Sequence, residues 1–319
     1  MKHYSIILLV TAAMISGCTS ARFYHNAPPL PFSEIDYTFS MQTGEINGVP
    51  LAWYDSGGYG EVVLFVHGLA SNAGFWRYNV PDLRAAGLRV IAVDLPGYGK
   101  SGKSYDIPYG LGFYARTLEA LLEHLDISSV TVIGHSMGAQ IALTLVLQEC
   151  PRVKGLVLLS PAGIERFKQG EGEWLKKSVT PEFVINTPEE HIRANLAANF
   201  YCWRDELEWM VEERARMAKT PEFRGFAYAV SQSVAAMIDE PVWMDLEKIT
   251  VPVMIVGGAN DNLIPNPYLH GGFTEPIMRR GAEEMPNAEL HMLPNTGHML
   301  QIERPEKVNR LILDFLERK

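Results

Sequence analysis

The sequence holds only three cysteines, Cys18, Cys150 and Cys202, and it has fewer bases than acids. Against 37 Asp and Glu stand 28 Lys and Arg, for a formal net charge of -9. A surface this acidic speaks against DNA or RNA as a partner, because phosphates need clustered Lys and Arg. The absence of a polybasic run likewise removes electrostatic adhesion to an anionic membrane. No apolar stretch reaches the roughly 20 residues that span a bilayer. What remains is ordinary globular composition, 47% hydrophobic and 20% charged. That is enough for one large core plus an inserted subdomain, and it excludes disorder.

The N-terminus is a separate object. Lys2 is a short basic start, and an uncharged apolar stretch of about a dozen residues follows from Tyr4 to Ile15, too short to span but suited to a secretory signal. Then comes Ile15-Ser16-Gly17-Cys18. This resembles the lipobox of bacterial lipoproteins, which implies cleavage before Cys18 and lipidation of its thiol. Residues 1–17 are then a signal peptide and 18–35 a tether, in which Pro28, Pro29 and Pro31 disfavour regular structure. Acyl chains would hold Cys18 to a membrane at about 0.8 kcal/mol per buried CH₂. In the resembling lipoproteins an Asp after the cysteine favours the inner membrane; Thr19 stands there, so the outer membrane of the cell envelope is expected.

Two strands are expected next, Tyr37–Gln42 and Val49–Tyr54, turned at Asn47-Gly48. Short β-rich runs then alternate with helical patterns. The runs are Val62–Val66, Arg89–Val93, Val130–Ile133, Leu156–Leu159, Val253–Val256 and Glu289–Leu293. The first five are nearly continuous in Val, Ile and Leu, as in parallel strands buried on both faces. Helices are expected near Tyr114–Leu125, Ala139–Gln148 and Lys307–Leu316. The chain therefore reads as an α/β fold with a mostly parallel central sheet flanked by helices.

The alternation breaks over 164–240. Thr-Pro-Glu occurs there at Thr180, Thr187 and Thr220, each a candidate helix start with Thr as N-cap, and Glu190 would complete a capping box with Thr187. Three or four helices without a strand are expected, inserted between core parts 36–163 and 241–319. Cys150 ends a helix running roughly 20 Å from Ser136, and Cys202 lies in the insert near the other end. A disulfide needs Cα atoms within about 7 Å, so both are expected to be free, mostly buried thiols.

Gly134-His135-Ser136-Met137-Gly138 is a G-x-S-x-G pattern between a strand and a helix, the setting of a nucleophile elbow. A serine hydroxyl needs a base. Among nine histidines, His298 follows the last strand, in a loop that opens on the same rim as the elbow. His291 lies within a strand; His67 and His135 suit packing or supporting roles. Asp261 follows Val253–Val256 at a carboxyl end, whereas Asp239 and Asp245 precede that strand and fall at the wrong edge. The order Ser136, Asp261, His298 is that of an α/β-hydrolase triad. Such a triad needs neither metal nor cofactor.

With His67-Gly68-Leu69 and Asp94-Leu95-Pro96-Gly97-Tyr98-Gly99, these pieces resemble the α/β-hydrolase family from about Gly44 to the C-terminus. The resemblance implies an oxyanion hole made of the backbone N–H groups of Leu69 and Met137, a structural loop at Asp94, and an all-helical cap over 164–240. Two departures matter. Ser136 stands where haloalkane dehalogenases and epoxide hydrolases of the family use Asp, and the His-Gly-Gly-Gly loop of some lipases is absent. The chain looks most like capped, secreted bacterial esterases and monoacylglycerol-lipase-like enzymes. The expected activity is hydrolysis of a small carboxylic ester with an apolar acyl group, through an acyl-enzyme on Ser136. The cap aromatics, Trp174, Phe183, Phe200, Tyr201, Trp203, Trp209, Phe223, Phe226 and Tyr228, would in part line its pocket and for the most part form cap core. Cleavage of a carbon–carbon bond in a diketone, and non-catalytic ligand binding, are the alternatives.

Overall fold

Asn47 and Gly48 both take left-handed backbone, φ 52° and 73°, the two-residue turn whose twist matches paired strands. In the computed structural model, which describes residues 23–318, this turn joins β1 (Gln42–Ile46) to β2 (Val49–Asp55) with Ile46 opposite Val49. The first strand is therefore not Tyr37–Gln42. A two-residue turn fixes the partner strand as the residues immediately before it, and Thr38 at φ 64° interrupts an extended run. Tyr37 is instead buried, its hydroxyl donating to Asp94 at 2.9 Å.

The remaining strands are β3 (Val62–Val66), β4 (Arg89–Asp94), β5 (Val130–His135), β6 (Val153–Leu159), β7 (Val253–Gly258) and β8 (Ala288–Leu293). All eight form one sheet in the order β1-β2-β4-β3-β5-β6-β7-β8. β2 runs antiparallel to β1 and β4, and every pair from β4 to β8 is parallel. The Val, Ile and Leu runs are buried because helices cover both faces. Those helices are α1 (Val80–Ala85), α2 (Leu111–His124) and α3 (Met137–Leu147) before the insert, and α9 (Thr274–Glu284), α10 (Leu300–Glu303) and α11 (Pro305–Leu316) after it.

Between β6 and β7 lie α4 (Gln169–Ser178), α5 (Pro181–Ile185), α6 (Glu189–Ala197), α7 (Trp209–Met217) and α8 (Phe223–Asp239), with no strand. That is five helices, more than expected, and only one of the three threonine caps forms. Thr180 accepts from Phe183 N at 3.1 Å. Thr187 and Thr220 instead donate to the carbonyls of Phe183 and Met217, so the Thr187–Glu190 capping box is absent. Each follows closely on a preceding helix whose last carbonyls lack intrahelical partners, and these accept the hydroxyl. α4 and α5 pack on α8, and α6 packs on α7.

The described part of the expected tether lies along this insert as a strap. Tyr24 donates through its N–H to Glu189 (2.7 Å) and through its hydroxyl to Glu208 (3.1 Å). The Lys219 ammonium donates to the carbonyls of Tyr24, His25 and Ala27 at 2.6, 3.0 and 2.6 Å. The Phe32 ring packs 5.7 Å from that of Phe226. Cys18 and the signal segment lie outside the described residues. Among the described residues no helix is long and apolar enough to cross a membrane. Cys150 and Cys202 are both free, but Cys202 is exposed rather than buried, because it is the Cys202 N–H, bound by Glu303 at 3.0 Å, that docks.

Candidate active site

The site grows from a turn that tolerates little besides its own residues. Between β5 and α3, Ser136 sits at φ 52° and ψ -117°, a strained conformation that the sheet holds through a 2.9 Å bond from Ser136 N to Leu159 O. A Cβ at Gly134 would come within 2.5 Å of the Gly138 carbonyl oxygen, and one at Gly138 within 2.2 Å of that of Val66. Both glycines of the pattern are thus required by close backbone approach. Ser136 is half-buried at the head of α3, whose first N–H groups face it.

His298 and Asp261 arrive from β8 and β7. The His298 Nδ1 meets Asp261 Oδ2 at 2.7 Å, and both residues are buried. Asp261 Oδ1 accepts from Leu263 N and Ile264 N at 2.8 and 3.2 Å. Burial pushes the Asp261 carboxyl up, but His298 and these two N–H groups outweigh it and hold it below the usual carboxylate value. Asp261 is therefore a firm anion that fixes the ring, leaving Nε2 free. Among the described residues Ser136 and His298 share no hydrogen bond; such contacts commonly tighten only with substrate in place. They are near neighbours through His135, whose ring lies 4.9 Å from that of His298 and whose Nε2 donates to the His298 carbonyl at 3.0 Å.

The loop after β3 closes the other side. A Cβ on Gly68 would lie 3.2 Å from the Ser136 Cβ. His67 is buried; its Nδ1 donates to Gly68 O (2.8 Å) and its Nε2 accepts from Leu95 N (3.1 Å). This arrangement needs the neutral ring, and burial pushes the imidazole down to about 4. His135 is likewise pushed to about 3, burial first and His298 second. Among the described residues neither the Leu69 nor the Met137 N–H meets an acceptor. Asp94 accepts from Ala73 N, Lys100 N and Tyr37 Oη, which makes it the brace of its loop. Burial raises it to about 6 despite these bonds.

Asp239 and Asp245 lie elsewhere, paired with Lys176 and Lys248. His291 is half-buried in β8 beside Glu289. The insert aromatics divide. Phe200, Trp203 and Trp209 cluster with Phe75 and Met299, the residue after His298. Phe223, Phe226 and Tyr228 pack on the main core, whereas Trp174, Phe183 and Tyr201 are exposed. Sequence reasoning passed over two residues that meet the site's loops. Arg214 of α7 donates to the Ala70 carbonyl, and Glu303 of α10 binds the N–H of Gly297 at 2.7 Å. Neither has a local pattern; Glu303, five positions after His298, is the one a helical offset could have flagged.

The profile of the alpha/beta hydrolase family matches residues 63–311. The chain is 32% identical over 281 residues to the dihydrolipoyllysine-residue acetyltransferase component of the acetoin cleaving system of Pseudomonas putida, covering 87% of this chain and 69% of that one. It is 29% identical to 2-hydroxy-6-oxononadienedioate/2-hydroxy-6-oxononatrienedioate hydrolase 1 of Dechloromonas aromatica, covering 86% and 93%. Among solved structures, a probable hydrolytic enzyme of Pseudomonas aeruginosa PAO1 superposes with a TM-score of 0.78 at 27% identity, over 91% of this chain and 99% of that one. The chain belongs to the alpha/beta hydrolase family.

Proposed function

We propose that this hydrolase attacks a carbonyl carbon through Ser136, with His298 as general base and Asp261 orienting the ring. The observation that carries the reading is the buried 2.7 Å Asp261–His298 bond on the rim where the strained elbow presents Ser136. With Nδ1 committed to Asp261, Nε2 takes the Ser136 proton as the Oγ–C bond forms. The developing oxyanion is met by the N–H groups of Leu69 and Met137. The scissile bond breaks, the proton passes from His298 to the leaving atom, and water repeats the cycle to free Ser136.

For the bond broken, the relatives support a carbon–carbon bond beside a ketone over an ester. Six of them, at 26 to 29% identity over more than four-fifths of this chain, are named 2-hydroxy-6-oxononadienedioate/2-hydroxy-6-oxononatrienedioate hydrolases. The leaving atom is then a carbon whose electron pair a conjugated carbonyl delocalises before it takes the proton. The Arg214 cation beside Ala70, on the loop that carries Leu69, suits an acidic substrate. Ester cleavage is the second reading, and the apolar cluster of Phe200, Trp203 and Trp209 against Met299 favours it as a wall for an acyl chain. On either reading the insert acts as a cap, and Cys18 anchors the chain to the outer membrane.

A fluorophosphonate should label Ser136, and Ser136→Ala should lower kcat by on the order of 10⁴ to 10⁶ with the fold intact. A conjugated 1,5-diketone, followed by loss of its absorbance, is then compared with aryl esters of graded length. Ester turnover without diketone consumption replaces the first reading by the second. Absence of both labelling and turnover leaves a ligand-binding protein.

A further inference from the structure

We propose that Glu303 is a positioning residue that locks the insert to the histidine loop, so that the turn 198–202 and His298 hold one position together. The inference rests on His298 being the general base. Glu303 is 6% exposed, and among the described residues no cation pairs with it. Its carboxylate is instead satisfied by three backbone donors. Oε2 accepts from Gly297 N at 2.7 Å and Tyr201 N at 3.2 Å, and Oε1 accepts from Cys202 N at 3.0 Å. One donor immediately precedes His298; the other two belong to the insert.

The far side of His298 is tied to the same turn, because Met299 N donates to Asn199 O at 3.0 Å. No side chain intervenes. A Cβ on Gly297 would fall 2.6 Å from Asn199 O and 2.7 Å from Tyr201 N, so the two backbones are in direct contact. The turn also reaches the loop after β7, beside Asp261, where Asn262 Nδ2 donates to Ala198 O at 3.3 Å.

Removing a carboxylate from water without a counter-ion is costly, and charge-assisted N–H bonds of this kind are the ones strong enough to offset it. The acceptor-only character of the carboxylate is what the site uses. A Gln in its place would turn an NH₂ group toward backbone N–H donors, and at least one of the three would lose its partner. The consequence is mechanical. If the insert moves to admit substrate, it pivots about 198–202, which stays with His298; freeing that turn would let His298 drift from Ser136.

The test uses the full chain with Glu303→Gln, Glu303→Asp, Gly297→Ala and, as a stability control, Leu311→Ala in α11. Two quantities are read: the rate of Ser136 labelling by a fluorophosphonate, which needs an aligned His298, and kcat and KM on the substrate the enzyme turns over. Glu303→Gln is expected to slow labelling and kcat by about tenfold to a hundredfold, the scale of a 1 Å misplacement, with KM within about threefold. Glu303→Asp, which keeps the charge, should recover part of the loss. Leu311→Ala should lower the melting temperature without slowing labelling. If Glu303→Gln does not fold, Gly297→Ala carries the test, with the same expected loss in labelling and kcat. Wild-type rates in a folded Glu303→Gln, or an equal labelling loss in Leu311→Ala, overturn the proposal. Failure of the wild type to label at Ser136 overturns the catalytic reading, and this inference with it.

Discussion

Arg214, on the insert, donates a hydrogen bond to the carbonyl oxygen of Ala70, the residue that follows the proposed oxyanion donor Leu69. Ala70 holds φ 56°, a left-handed conformation that costs an alanine about 1 kcal/mol or more and needs an external hold. The guanidinium also lies 4.7 Å from the Phe226 ring, and burial lowers its pKa to about 10, so it remains a cation at neutral pH. Arg214→Met should therefore release the loop and lower kcat by roughly 10²-fold, as the loss of one aligned oxyanion donor does. Arg214→Lys keeps the charge and one donor and should fall between. Steady-state kinetics on folded variants decides; an unchanged kcat in Arg214→Met would mean that the loop holds itself.

The oxyanion assignment separates backbone from side chain. Leu69→Ala keeps its N–H and should cost little in kcat. Leu69→Pro removes that N–H and should cost roughly 10² to 10³. Circular dichroism and melting temperatures are compared first, because proline can distort the loop. Equal kcat in the two folded variants would move the second donor elsewhere, with Ala70 next in line.

His67 gives the fold a dependence on acid. Folded, it stays neutral down to about 4; unfolded, it takes a proton near 6.5. Its folded pKa is depressed, so its contribution is whole above pH 6.5 and is lost as pH falls from there toward 4. The full loss is about 3 kcal/mol. His67→Gln, which can still accept from Leu95 N, should remove that slope. Urea unfolding at pH 7 and pH 5 should show a drop about 2 kcal/mol smaller in the variant than in the wild type. Parallel stability curves would refute the neutral, buried His67.

For the N-terminus, cells fed labelled palmitate should incorporate it into the wild type and not into Cys18→Ser, which should appear soluble or unprocessed. A wild-type protein that never takes up label is not a lipoprotein.

The sheet was legible because strands buried on both faces must be apolar throughout, as Val62–Val66 and Val253–Gly258 are. Ser136, Asp261 and His298 could be proposed because each lies in the loop just past a strand end, and strand ends share a rim. What escaped were contacts with no local signature. Arg214 meets Ala70 across 144 residues, and Glu303 meets Tyr201 across 102, each through a backbone atom that every residue type offers. The misplaced first strand and the two idle threonine caps share a cause: neighbours competed for the same chain, an Asn-Gly turn for register and preceding helix ends for hydroxyls.

The strap has a consequence for orientation. Cys18 stands five residues before Phe23, so it can reach no more than about 18 Å from where the described chain begins. The chain there is not free to swing, since Lys219 binds the carbonyls of Tyr24, His25 and Ala27 and Glu189 holds Tyr24. Glu189 opens α6, whose nine residues span about 13 Å toward the turn that docks on His298. Whatever is attached at Cys18 is thus on a short leash to the insert, not to the body of the sheet, and the leash acts as a compass. If Cys18 carries the proposed lipid, this keeps the helical side of the molecule turned toward the membrane.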